Sequence, residues 1–422
     1  MQTEHVPSRP HQPAGPSHPP PPSGIGRFAE WASARENRGF ADYDELWRWS
    51  VGDVARFWEA VWEYYGIRSH APYESVLVSA EMPGASWFPG ARLNYAEHVL
   101  GDEDAPERVA IIARSQTVGP VEMTFGELRD AVARARTGLR RLGVGPGDRV
   151  AAYLPNIPET VVALLATASL GAIWTSCAPE FGTRGIVDRF AQVDPEVLLV
   201  VSGYHHGTKA IDRRQEVARI RAGLPSVRHV VHVPYGSEPL PDTMAWDELL
   251  VDSEPLTFVP VPFDHPLWIL FSSGTTGLPK PIVHGHGGIL LEQLKVHDLS
   301  FDVRPGDRFL WFTTTAWTMW NTLVSALLRR AAIVLFDGNP LWPDLGAQWE
   351  LVLPQGRPPA GRAVRPVPPA SARRHRFAPA RRGVRLDPRT VRRRRHAQLD
   401  QRWNGRVRRV PGGQPLAGRG AG

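Results

Sequence analysis

The chain has 422 residues, with 49 Lys and Arg against 43 Asp and Glu and a single cysteine, Cys177. Its net charge of +6 is unevenly held: residues 354–422 contain 19 Arg, no Lys and two acids, so that tail carries +17 and the rest of the chain −11. The basic total therefore does not mark the body as a nucleic-acid or membrane binder, and one cysteine excludes an internal disulfide framework or a thiolate zinc cluster and fits a reducing, cytoplasmic setting.

Eight prolines fall in the first 22 residues, with no apolar core of the kind a signal peptide needs, so residues 1–24 read as a disordered leader. Residues 25–107 are rich in Trp and Tyr and read as a cap that packs on the remainder of the body. Within them Leu46, Trp47, Val54, Phe57, Trp58, Val61 and Trp62 recur at helical spacing, which predicts one helix over Asp42 to Tyr65. From Arg108 to residue 353, β-branched runs alternate with amphipathic segments. That alternation predicts an α/β fold, a doubly wound, mostly parallel sheet with flanking helices. The expected strands are Arg108 to Ala113, Arg149 to Leu154, Ala172 to Ser176, Val197 to Val201, Val227 to Val233, Leu267 to Phe271, Phe309 to Phe312 and Ala332 to Phe336. Thr124 and Glu127 stand at capping-box spacing before a helix that runs to Leu142 and stops at Gly143 and Pro146; another helix covers Glu159 to Leu170. The longest apolar stretch, Val161 to Trp174, is 14 residues and falls short of the ~20 that a membrane span requires. In residues 354–422 only 10 of 69 residues are Leu, Ile, Val or Phe, too few to bury a core, so this tail is expected to be disordered.

The segment Leu267 to Gly288, LWILFSSGTTGLPKPIVHGHGG, carries the chemistry. An apolar strand runs into a loop of small polar residues. Gly274 and Gly277 let backbone approach an anion, Ser272, Ser273, Thr275 and Thr276 supply hydroxyl donors, and Lys280 adds a full positive charge. The spacing is not that of a Walker loop, which has four residues between its glycines and a Lys-Ser/Thr directly after the second. His284, His286 and His297 have no acidic or thiol partner at ligand spacing and are expected to bind no metal. Cys177 reads as a small packed side chain rather than a nucleophile.

SSGTTGLPK resembles the phosphate-loop signature of the adenylate-forming superfamily, which includes acyl-CoA synthetases, peptide-synthetase adenylation domains and luciferases. SWFPGARLNYAEHVL (86–100), LPNIPETVVALLATASLGAIWTSCAPEFG (154–182) and KPIVHGHGGILLEQLK (280–295) are similar to the acetyl-CoA and acetoacetyl-CoA synthetase branch. WFTTTAWTMWN (311–321) and LFDGNPLWPD (335–344) resemble acetoacetyl-CoA synthetases most, with Ala316 where those relatives usually have Gly. The resemblance spans residues 25 to 353. It implies a ligase using ATP, Mg2+ and coenzyme A: a carboxylate attacks the α-phosphorus of ATP to give an acyl-adenylate and pyrophosphate, and the CoA thiol then displaces AMP. It further implies that Ser272, Ser273, Gly274, Thr275, Thr276, Gly277 and Lys280 hold the ATP phosphates and that Trp317 and Trp320 line the acyl pocket. Acetoacetate is the expected acid, with acetate or another short acid as the alternative.

Relatives continue for some three hundred residues past the point of resemblance, with a magnesium-ligating acidic motif and a lid lysine. This chain has three lysines, Lys209, Lys280 and Lys295, none in a lid-like context, so no catalytic lysine is assigned and the chain is expected to make little or no acyl-CoA. An out-of-phase reading of a GC-rich gene would produce the tail's excess of Arg, Pro, Ala and Gly. Shifted by one base, Leu399 to Pro411 is compatible with an acidic motif of the family's kind. The competing expectation takes the tail, centred on Arg392 to Arg395, as a nucleic-acid-binding arm, although its aromatics are only Phe377 and Trp403.

Overall fold

The computed structural model describes residues 22–101, 104–236, 238–272 and 277–344. The expectations for the leader up to residue 21 and for the tail, its frame and its arginines included, lie outside these residues, as do Ser273, Gly274, Thr275 and Thr276.

The first helix, α1 (Gly24–Glu36), begins where the leader was expected to end, and the Ser23 hydroxyl accepts the Gly26 amide at its start. The single helix expected over Asp42 to Tyr65 is two, α2 (Tyr43–Gly52) and α3 (Val54–Tyr64). Asp53 makes the break. Its amide donates to the Trp49 carbonyl to close α2, and its carboxylate accepts the Arg56 amide at 3.0 Å to open α3. The apolar spacing persists across the junction, so periodicity alone does not reveal it. Phe28 of α1 sits edge-on to Tyr64 at 5.1 Å and to Phe57 at 6.2 Å, which binds α1 to α3 through aromatic packing. A short helix, α4 (Tyr95–Leu100), follows Asn94, whose amide group donates to the carbonyls of Ala168 and Val259. One continuous apolar cluster runs from Phe28 through Leu93 and Leu165 to Leu335, so the aromatic N-terminal part shares its core with the rest.

In chain order the body contains β1 (Val109–Ser115), β2 (Val121–Thr124), α5 (Phe125–Arg141), β3 (Arg149–Tyr153), α6 (Pro158–Ser169), β4 (Ile173–Cys177), α7 (Thr183–Phe190), β5 (Val197–Val200) and α8 (Arg214–Ala222). Then come β6 (His229–His232), β7 (Met244–Ala245), β8 (Pro266–Ser272), β9 (Lys280–Gly285), α9 (His286–Lys295), a π-helical turn (Val296–Ser300), β10 (Arg308–Leu310), α10 (Thr318–Ser325) and β11 (Ala332–Asp337). Each of the eight expected strands forms, within two residues at either end. The capping box opens α5 with both of its hydrogen bonds present. Helix α6 is apolar all round and buried from Thr160 to Ser169, as such a helix must be.

The strands divide between two sheets rather than filling one. The larger has the order β7-β6-β5-β3-β4-β8-β9, parallel except for the β8–β9 hairpin. The smaller has the order β10-β11-β1-β2, with β1 pairing β11 in parallel, Ile111 opposite Ile333, and pairing β2 as a hairpin. Alternating β and α segments announce parallel pairing but not which strands pair, and β1 and β11 lie more than 200 residues apart. The mostly parallel α/β architecture stands, and among the described residues no helix is long and apolar enough to cross a membrane.

Candidate nucleotide and acyl site

Strand β8 and edge strand β9 pair antiparallel with Ser272 opposite Lys280, so the Ser, Thr and Gly run is the loop of a hairpin. Its described margins are open. Among the described residues Lys280 is exposed and forms no ion pair, and a Cβ built on Gly277 would meet no atom within 4 Å. The Gln192 side chain, just beyond α7, donates to the Pro279 carbonyl at 3.0 Å and ties the loop's second limb to the helical layer.

The segment 311–321 is held at the carboxyl ends of the neighbouring strands. Ser176 of β4 donates to the Thr315 carbonyl at 2.7 Å, and the Thr315 hydroxyl donates to the carbonyl of Leu154, just after β3, at 2.8 Å. Strand β4 is the parallel neighbour of β8: Trp174 stands opposite Trp268, and Thr175 donates to the Ile269 carbonyl. By that alignment Ser176 lies beside Leu270, two residues before Ser272 and one strand across. The segment follows β10 of the smaller sheet but is anchored at the carboxyl-terminal edge of the larger one, the edge from which the phosphate-type loop leaves and where open α/β sheets hold ligands. Neither Ser176 nor Thr315 was singled out in the sequence, and a small polar residue at the last turn of a buried strand, as in the Thr-Ser-Cys of β4, is the signal that points to such an anchor.

Trp317 is 59% exposed, whereas Trp320 has no exposed surface: its indole N–H donates to Asn156 Oδ1 at 2.9 Å and its ring stacks on Trp174. Trp317 precedes the first helical residue of α10 and projects outward, while Trp320 lies within the helix and faces the core. Trp320 therefore supports the segment from beneath and offers no surface to a ligand in this arrangement.

The three histidines weighed as ligands each have a packing role. Trp268 donates to His284 Nδ1, the Tyr95 amide donates to His286 Nδ1, and His297 Nδ1 bonds the Gln293 carbonyl. Burial lowers all three, His286 to about 3 and His297 to about 4, so each ring is neutral near pH 7. Burial raises the Cys177 thiol to about 12, which leaves it without nucleophilic character. Among the described residues no group of three or more His, Cys, Asp or Glu is arranged to hold a metal. These residues do not fit a magnesium ion.

The family model of the AMP-binding enzyme matches residues 101–357, and that of the acetyl-coenzyme A synthetase N-terminus matches residues 43–99. An acetoacetyl-coenzyme A synthetase of Rhizobium meliloti is 42% identical over 328 residues, 76% of this chain and 50% of that protein. A malonamoyl-CoA synthetase of Penicillium aethiopicum is 36% identical over 334 residues, covering 75% and 46% of the two chains. The solved structure of acetoacetyl-CoA synthetase from Streptomyces lividans superposes with a TM-score of 0.76 at 50% identity, over 78% of this chain and 51% of that one. The chain spans about half the length of the curated relatives it matches.

Proposed function

Because the chain belongs to the AMP-binding enzyme family, we propose that it carries the phosphate-binding and acid-binding half of an ATP-dependent acetoacetate–CoA ligase. The observation that carries this reading is the β8–β9 hairpin, which sets Ser272 opposite an exposed Lys280 at the ligand edge of the parallel sheet. In the first half-reaction an acid oxygen attacks the α-phosphorus of ATP and the bond to pyrophosphate breaks. Negative charge gathers on the leaving group. An ammonium already in place beside fixed hydroxyl and amide donors stabilises that charge without water having to reorganise. Ser273, Thr275, Thr276 and the backbone at Gly274 and Gly277 complete the donor set in this reading. Trp317, whose ring is exposed beside the same sheet edge, forms a wall for the acid. Coenzyme A supplies the thiol that takes the acyl group and releases AMP in the second half-reaction. Alone, the chain binds ATP weakly at best and makes little or no acyl-CoA.

Lys280→Ala tests the reading. A charge-assisted hydrogen bond contributes roughly 1.5–3 kcal/mol, so ATP affinity measured by calorimetry on the full 422-residue chain should fall by about tenfold or more. Unchanged affinity, or robust acetoacetate- and CoA-dependent release of AMP by the unaltered chain, refutes it.

A further inference from the structure

Helix α5 buries a guanidinium that nothing neutralises. Arg136 is 6% exposed, deeper than any other arginine among the described residues. Its Nε is sealed without a hydrogen-bond acceptor, and the side chain has no ion pair and no aromatic ring against it. The two terminal nitrogens are also unbonded but are not sealed, so they face the small opening that remains. Burial, and then the charge of Arg140 one turn further on, pull this guanidinium below its ordinary value, while Glu254 opposes them. The other charges nearby are engaged. Arg140 bonds Glu254, and Arg141 bonds Asp252 and the Glu248 carbonyl. The Glu254 amide donates to Thr137 Oγ1 at 3.2 Å. These contacts lay residues 248–254 as a strap along the last two turns of α5, and Gly138 permits the closeness, since a Cβ there would lie 2.2 Å from the Leu249 carbonyl oxygen. Three arginines thus meet two carboxylates, each acid already holds one of them, and Arg136 is left over. A charge taken out of water without a partner is costly and seldom kept.

We propose that Arg136 is the floor of an anion site beneath the 248–254 strap, and that its ligand is a single small oxyanion of the phosphate class. The planar fork of a guanidinium matches two oxygens of such an ion. Arg140 adds positive charge at the rim, and its bond to Glu254 offsets the one carboxylate that would repel the ligand. The narrow opening suits an ion rather than a nucleotide. This site is separate from the loop between Ser272 and Lys280: α5 ends at Arg141 and leads into the start of β3 at Arg149, toward the amino-terminal edge of the larger sheet, whereas that loop leaves the carboxyl-terminal edge. A bound ion would fasten the strap to α5. The strap continues through Val259, held by the Ser169 carbonyl and the Asn94 amide group, into β8.

The test titrates inorganic phosphate into the full 422-residue chain at constant ionic strength, with chloride as the balancing anion, and reads the melting temperature. The rise should saturate and reach about 3 °C at a hundredfold excess over the dissociation constant. It should survive in Lys280→Ala, which separates this site from the phosphate-type loop. Arg136→Met should abolish it and, in chloride alone, should melt no lower than the unaltered chain, because an unpaired buried charge is removed while the length of the side chain is kept. Arg136→Lys, which keeps the charge and loses the fork, should bind phosphate about tenfold more weakly. A rise that is absent from the unaltered chain, or that persists undiminished in Arg136→Met, overturns the proposal. So does a rise lost in Lys280→Ala, which would place the ion in the loop alone. Should the methionine variant not fold, the lysine variant decides, and undiminished phosphate affinity there overturns the proposal.

Discussion

Two aspartates, Asp298 and Asp337, are buried to a similar degree in different parts of the molecule and meet opposite surroundings. Asp298, in the π-helical turn after α9, is 1% exposed and bonded to Arg27 at 2.7 Å, Arg329 at 3.3 Å and the Tyr65 hydroxyl at 3.4 Å. Asp337, at the end of β11, is 5% exposed, and among the described residues its carboxylate meets one hydroxyl: Tyr235 donates to it at 2.6 Å and in turn bonds Ser115. Burial raises the Asp337 carboxyl to about 7, the Tyr235 hydrogen bond opposes that rise, and the charge of Glu180 adds to it. Depth alone does not decide what a buried acid contributes; the presence of a cation within reach does. One aspartate fastens α1 to the turn that follows α9. The other joins the smaller sheet to the loop after β6 through a group that is half protonated near neutrality.

Removing the ion-paired acid should have the largest effect. Asp298→Ala leaves two guanidiniums facing an emptied site, and loss of one partner of such a cluster costs about 3 kcal/mol, readable as a fall in the denaturant midpoint with unchanged slope. Asp337→Asn should act in the other direction and depend on pH. The folded carboxyl titrates above its unfolded value of 3.8, so the folded state holds the extra proton and stability falls as pH rises from about 4 to about 7, then levels off. The asparagine variant should therefore be more stable at pH 8 by about 2 kcal/mol, with the gap closing toward pH 4. Equal stability at both pH values would place the two aspartates in one class and end the contrast. The smallest effect, about 1 kcal/mol, is expected for Tyr235→Phe, which removes the hydrogen bond that favours the ionised form and should carry the Asp337 titration to higher pH in the same denaturation series.

Neither aspartate could be picked out from the chain, because their partners are remote: Arg27 is 271 residues from Asp298, and Tyr235 is 102 residues from Asp337. Local features were legible. The capping box of Thr124 and Glu127, the eight strands and the Ser272 to Lys280 loop all follow from spacing and composition over a few residues. The break at Asp53 was hidden because the apolar period runs through it, and only the cap geometry separates the helices. Trp317 and Trp320 carry the same side chain three residues apart. Which of them meets solvent depended on where α10 starts and on Asn156 and Trp174 waiting beneath.

The antiparallel pairing of β9 with β8 has a consequence for sidedness. Lys280 and Ser272, being directly opposite, project from the same surface of the sheet. Sliding this outermost strand by a single residue would hand that position to Pro281 and turn the ammonium to the reverse surface, with no change in composition. Which surface of the sheet carries the Lys280 ammonium is thus decided by the parity of one hairpin.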